Sequence, residues 1–193
     1  MQIEMLEREL AEERLARQAL VEASVRLNSV LNLPELLQAT MDAATVILGA
    51  ETSSLMMLDE DTNELTFEVA SGEPGAGLQE LRVPAERGFA GWVLKNDQPL
   101  VVDDVRADPR FYSEIDKISG FVTRSMLAVP LKSRDRTIGV VEVINKLDAP
   151  TFTDRDVDIA QALAAQAAVA IENARLYRKL ADAVVESRMS YRL

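Results

Sequence analysis

The period of the apolar positions changes along the chain, and each change marks a boundary between elements. From Met1 to Leu31 a 3-4 spacing runs through Ile3, Leu6, Leu10, Glu13, Arg17, Leu20, Ser24, Leu27 and Leu31, six of the nine apolar. This stretch has no Gly or Pro and is rich in Glu, Leu, Arg and Ala, so it predicts one helix with coiled-coil periodicity and a polar interruption. The pattern suits pairing with a second helix; an amphipathic helix packed on its own domain is the alternative. Pro34 suits a first helical turn, and a second helix follows through Leu36, Leu37, Ala39, Thr40, Ala43, Ala44 and Ile47, closed by Gly49.

From Thr52 the period shortens. TSSLMML and ELTFEVA, joined by the turn-rich DEDTN, predict a hairpin that ends at the break SGEPGAG. LQELRV reads as a short alternating strand, and PAERGFAGWVLKND as a loop opening into a short helix. PLVV and the loop DDVRADPR precede FYSEIDKISGF, whose acidic and aromatic mix suits a short helix over a pocket. Two longer strands, TRSMLAVPLK and TIGVVEVINK, flank SRDR. Helical texture returns at Thr153 or Asp154, the cap candidates, and nothing stops it before the C-terminus. Ile159, Leu163, Gln166, Ala170, Asn173, Tyr177, Leu180 and Val184 keep 3-4 spacing there, and Asn173 is the kind of polar residue that fixes register in a helical dimer. The expected organisation is helix, αβ core, helix, with both ends suited to parallel pairing in a homodimer.

Composition narrows the chemistry. The chain has no cysteine and no histidine, which removes thiol and Ser-His-Asp nucleophiles, His bases, zinc sites of the usual ligands, iron–sulfur clusters and His- or Cys-ligated haem. Disulfides are absent with them, which fits a cytoplasmic location. Lys plus Arg is 21 against 32 for Asp plus Glu, a net −11, and no basic cluster offsets it, so nucleic acid is not an expected partner. The longest charge-free stretch, Ile159 to Ile171, has 13 residues, short of the ~20 a membrane span needs, and the acidic start MQIEMLEREL is no signal peptide.

With these segments in order, residues from Leu20 to Leu180 resemble a GAF domain, the ligand-sensing module of cyclic-nucleotide phosphodiesterases, cyclases and bacterial sensor proteins. GFAGWVLKNDQPLVVDDVRADPRF is similar to the family's helix and following loop, and EIDKISGFVTRSMLAVPL to its lid helix entering a core strand. TIGVVEVINKLDAPTFTDRD resembles its last strand and signature, N-K, a spacer, then F-x-x-x-D-E: Asn145, Lys146, Phe152 and Asp156 fill four of the five positions, with Val157 in place of the Glu. The resemblance implies an α+β, PAS-related fold: an antiparallel sheet of about six strands, helices on one face, a small-molecule pocket on the other, and long terminal helices. The implied division is a signalling helix over 1–31, a GAF domain over 32–175 and a C-terminal helix extension over 176–193.

Candidate ligand contacts follow from the residues and are sharpened by the resemblance. Gly88, Phe89, Ala90 and Gly91 open a predicted helix, where free N–H groups suit a phosphate; from this segment alone the plainer explanation is that Gly88 ends a turn and Gly91 allows tight packing. In VVEVI, alternation puts Glu142 opposite Val141 and Val143, either on a pocket face or in solvent. Aligned with nucleotide-binding members, Tyr112, Asp116, Ser119 and Thr123 fall on an aromatic, an Asp and two hydroxyls around cyclic nucleotide. Glu142 falls on a pocket Glu, Ser54 on a strand Ser, and Phe89 and Ala90 on the pair whose N–H groups meet the phosphate. Two departures stand against this: Ala70 replaces a base-stacking aromatic, a loss of ~1–3 kcal/mol that Phe67, Phe121 or Tyr112 would have to offset, and Ser71 replaces an acid. By the same resemblance Lys146 and Asp156 pair with each other and do not grip ligand.

Other motifs fail. Gly72, Gly75 and Gly77 lack dinucleotide-fingerprint spacing, and the calcium-loop start Asp59, Asp61, Asn63 breaks at Glu64 and Ala70, which leaves a hairpin turn. The family's sulfoxide-reducing enzyme works through cysteines, and its bilin and haem binders need Cys or His. The expectation is therefore a non-enzymatic regulatory sensor with no metal, haem or bilin, binding cyclic AMP or cyclic GMP and signalling through dimeric terminal helices to an output domain or partner outside this chain. A ligand-free interaction module, or a sensor of another small ligand, is the alternative.

Overall fold

The computed structural model describes residues 33–72, 78 and 81–190, and side chains as far as residue 183. The expected helix over Met1 to Leu31 lies outside the described residues. Pro34–Glu172 forms one compact unit, and residues from Asn173 onward belong to another.

Within the first unit, helix α1 (Leu33–Ile47) opens with Pro34 in its first turn and buries Leu37, Met41 and Ala44, one stripe at helical spacing. Strands β1 (Ala50–Asp59) and β2 (Glu64–Ala70) make the expected hairpin. Its turn is held by the Asp59 carboxylate, which accepts from the N–H groups of Asp61 and Thr62 at 3.0 and 3.2 Å, the Asx geometry of a hairpin turn. Strand β3 covers Arg82–Pro84 at the sheet edge; of the expected LQELRV strand, Leu78 and Leu81 lie outside it, the Leu81 N–H closing a turn onto the Leu78 carbonyl at 2.9 Å. Helix α2 (Gly88–Asn96), strand β4 (Leu100–Val102), a 3-10 turn (Val105–Ala107), helix α3 (Glu114–Ser119) and strands β5 (Met126–Ser133) and β6 (Arg136–Lys146) complete the core.

The six strands are antiparallel in the order β3-β2-β1-β6-β5-β4. The central strands are buried on both faces, from Thr52 to Met57 in β1, Met126 to Leu131 in β5 and Ile138 to Val143 in β6. Alternation divides these residues between two layers. Ser53 points to the α1 layer, where its hydroxyl donates to the Met41 carbonyl at 2.8 Å. Met56, Met126, Ala128 and Val140 point the other way and pack with Phe89, Ala90 and Val93 of α2.

Helix α4 runs Asp154–Ser190. Asp156 donates its N–H to the Thr153 hydroxyl while its carboxylate accepts the Thr153 N–H at 2.8 Å, a reciprocal cap that starts the helix. Its buried stripe is Ala160, Ala164, Ala167, Ala168 and Ile171. The 3-4 series read from sequence as a pairing seam lies on another face: Ile159 and Leu163 are half-buried and Gln166 is exposed. Alanines let the helix approach the core closely, so the small residues and not the large ones mark its inner face. Among the described residues no helix is long and apolar enough to cross a membrane.

Candidate functional site

Between the sheet and the layer of α2 and α3 lies a partly open cavity of about 70 Å³. All eight residues singled out as ligand contacts line it: Ser54, Phe89, Ala90, Tyr112, Asp116, Ser119, Thr123 and Glu142. Register explains the floor. Ser54 of β1 and Glu142 of β6 are direct cross-strand partners, and Ala128 of β5 flanks Glu142 on its other side. Alternation therefore settles the open question for Glu142: it faces the cavity, 6% exposed, not solvent.

This floor is polar and unsatisfied. The Ser54 hydroxyl is buried without a hydrogen-bond partner, and among the described residues the Glu142 carboxyl has none either. Burial with no compensating donor pushes the Glu142 pKa from 4.5 up to about 7, because an apolar surround disfavours the charged form. Orphaned buried groups of this kind cost about 1–3 kcal/mol each, and a group that enters the cavity and bonds them recovers that.

The wall opposite is the first turn of α2. Its first helical bond runs from the Gly91 N–H to the Arg87 carbonyl at 3.1 Å, which leaves the N–H groups of Gly88, Phe89 and Ala90 without an intrahelical acceptor. Both glycines also serve the geometry that sequence alone left as the plainer explanation. Gly88 has φ +69°, and a Cβ on Gly91 would stand 2.6 Å from the Glu86 carbonyl carbon. Arg87, at the N-cap, lines the cavity too. It went unnoticed in the sequence, although a cation beside GFAG, where caps are normally Ser, Thr, Asp or Asn, was a usable signal. Phe111, stacked on Phe89 at 6.1 Å between ring centroids, is a second omission.

The lid residues reach the cavity but are engaged with one another. The Asp116 carboxylate accepts the Thr123 N–H at 2.8 Å and its hydroxyl at 2.6 Å, so it ties α3 to the segment entering β5. The Ser119 hydroxyl donates to the Ile115 carbonyl at 2.8 Å and accepts the Phe121 N–H at 3.2 Å. Ala70 lines the cavity without a ring, whereas Phe67, Tyr112 and Phe121 bring three. Ser71 faces away from this role, with its hydroxyl 3.1 Å from that of Thr45.

The signature residues lie beside the site and hold its frame. Asn145 accepts the N–H groups of Arg124 and Ser125 at 2.7 and 3.2 Å and donates to the Val122 carbonyl and to Glu51 at 2.9 Å each, fastening the lid's trailing segment to β6. Lys146 Nζ donates to the Leu48 carbonyl at 2.8 Å, pairs with Asp156 at 3.1 Å and lies 5.6 Å from the centroid of the Phe152 ring. Burial raises the Asp156 pKa, but the Thr153 N–H and hydroxyl and the Lys146 ammonium outweigh it, and the net direction is down from 3.8. Among the described residues no group of three or more carboxylates forms a metal site.

Comparison with known proteins places this geometry. The family model described as GAF domain matches residues 32–171. The chain is 26% identical over 175 residues to the probable 3',5'-cyclic phosphodiesterase pde-5 of Caenorhabditis elegans; the match covers 86% of this chain and 23% of that protein, so the chain spans about a quarter of its relative's length. The GAF domain of a phosphoenolpyruvate-protein phosphotransferase from Coxiella burnetii superposes with a TM-score of 0.69 at 20% identity, over 84% of this chain and 94% of that one. The free methionine-R-sulfoxide reductase of Neisseria meningitidis gives 0.63 at 24%, over 83% and 93%. Both structural likenesses are likenesses of fold.

Proposed function

Because the chain belongs to the GAF domain family, we propose that it is a regulatory small-molecule sensor whose cavity binds a cyclic nucleotide, cyclic AMP or cyclic GMP. The observation that carries this reading is the unpartnered pair Ser54 and Glu142 facing the open N–H groups of α2 across one cavity. A purine edge supplies donors and acceptors for the pair. A cyclic phosphate at the α2 N-terminus meets free N–H groups, the helix dipole and the Arg87 guanidinium. Phe67, Tyr112 and Phe121 are among the rings available to the base in place of a residue-70 aromatic.

Ligand-sized pockets run to about 300 Å³ or more, well above the present cavity. Binding is therefore coupled to outward movement of α3, and the Asp116–Thr123 latch is the contact that opens and re-forms. A ligand that prefers the moved state shifts the population toward it, and the shift passes into the helices that bracket the domain. The terminal helices pair in a homodimer and deliver that shift to an output domain or partner protein outside this chain.

The small cavity volume also favours a second reading, a ligand-free interaction module that keeps the fold for dimerisation. Calorimetric titration of refolded, nucleotide-free protein with cyclic AMP and cyclic GMP decides, with mass spectrometry of what the native preparation carries. Affinity near micromolar or tighter, roughly −8 kcal/mol, lost in folded Glu142→Gln and Ser54→Ala, supports the sensor. No heat and no carried ligand supports the module.

A further inference from the structure

On the outer side of α2 lies a second, wider feature, a groove of about 890 Å³ between the β1–β2 turn, α2 and the loop before α3. Its apolar lining includes Leu58, Trp92 and Leu94, all half-buried. Its charged lining is three cations, Arg87, Lys95 and Arg110, against one anion, Glu86, in a chain of net charge −11. Arg110 is committed: it pairs with Asp108 at 2.5 Å and lies over the Trp92 ring at 5.3 Å. Arg87 and Lys95 are exposed and have no partner among the described residues. Arg87 also sits at a helix N-cap, where the dipole disfavours a cation unless an anion lies beside it.

We propose that this groove docks an acidic peptide segment of a partner protein, carboxylates on Arg87 and Lys95 and an apolar side chain against Trp92 and Leu94. Charge complementarity favours the acidic partner. Shape favours the peptide: small ligands bury most of their surface, whereas this groove is rimmed by the exposed residues Glu86, Arg87, Lys95 and Pro109 and leaves part of its occupant in water. Trp and Arg together are the residues that dominate binding energy at protein interfaces. The groove and the cavity share Arg87, Gly88, Phe111 and Tyr112, and Lys95, Trp92 and Leu94 belong to the groove alone.

Trp92 is the only tryptophan in the chain, so its emission is a single-site signal from a residue that lines the groove. The probe is a synthetic peptide of glutamates flanking a phenylalanine, compared with the same peptide carrying lysines and with inorganic pyrophosphate. The expected result is a saturable change in Trp92 emission with the acidic peptide, weakened by salt and weakened about tenfold or more by Lys95→Glu. Arg87 stays intact because it also borders the cavity, and Arg155→Glu, a matched charge reversal at an exposed site outside the groove, leaves affinity unchanged. Glu142→Gln keeps peptide binding, which separates failure of this proposal from failure of the cavity reading. No saturable change, equal affinity in Lys95→Glu, or equal binding of the lysine peptide overturns the proposal. Pyrophosphate binding as tightly as the peptide overturns it in favour of a small-anion site.

Discussion

Substituting Glu142 with glutamine tests the central physical feature of the cavity, a buried carboxyl that no neighbour satisfies. Burial raises its pKa from 4.5 to about 7, and at about 1.4 kcal/mol per pH unit this separates its two protonation states by about 3 kcal/mol. The sign follows from proton counting. Between 4.5 and about 7 the folded chain holds this proton while the unfolded chain has released it, so stability falls as pH rises through that window. Glutamine keeps the shape and removes the titration. The two proteins should be equally stable below pH 4.5, and Glu142→Gln should become more stable by about 3 kcal/mol above pH 7, or roughly 6–12 °C in melting temperature for a domain of this size. Urea unfolding of both proteins across this range is the assay. Asp156, Asp97, Asp59 and Asp108 do not confuse it: their pKa values lie below 3.8, and the stability they contribute is lost only as pH falls through that lower region. Parallel pH profiles for the two proteins would refute the burial argument. A saturating ligand that bonds Glu142 should narrow the difference.

Lys146→Met leaves Asp156 buried without its cation and should cost about 3–5 kcal/mol in urea unfolding, while the protein that remains folded keeps its ligand affinity. Thr123→Val removes the hydroxyl donor from the lid latch, a bond worth about 1 kcal/mol; amide exchange across residues 114–123 should accelerate several-fold with little change in global stability. Gly91→Ala forces a Cβ against the Glu86 backbone and should destabilise the domain by about 1–3 kcal/mol or more, read as a lowered melting temperature.

The helices and strands were legible because their signals are local. Pro34 opened α1 where fixed φ suits a first turn, and alternating runs bounded by SGEPGAG and SRDR gave the strands. Of the eight cavity residues, Phe89, Ala90 and Glu142 were legible as candidates from a helix start and a strand's alternation, but their convergence with the other five was legible only through family resemblance, since the eight come from β1, β6 and separate segments of the helical layer. Sequence patterning failed where all choices looked alike. In the Ala-rich first half of α4 small apolar residues fall on several faces, and the 3-4 series read there as a pairing seam does not distinguish the buried stripe of Ala160, Ala164, Ala167, Ala168 and Ile171.

By itself, the sequence determined which chemistries are absent, since no thiol or imidazole exists to perform them, and which segments bend, pleat or coil. Only the tertiary structure decided what each polar group faces. Glu142 alternates with valines in either orientation, and its burial arises when Ser54 comes opposite it on β1 and α2 and α3 close above. Asp116 and Thr123 are both plausible ligand contacts in the sequence, yet the turn after α3 brings them within 2.6 Å of each other. Periodicity is set by the backbone's own repeat and acts over a few residues, whereas desolvation and pairing depend on which distant segments meet, and the pattern along one segment carries no record of that.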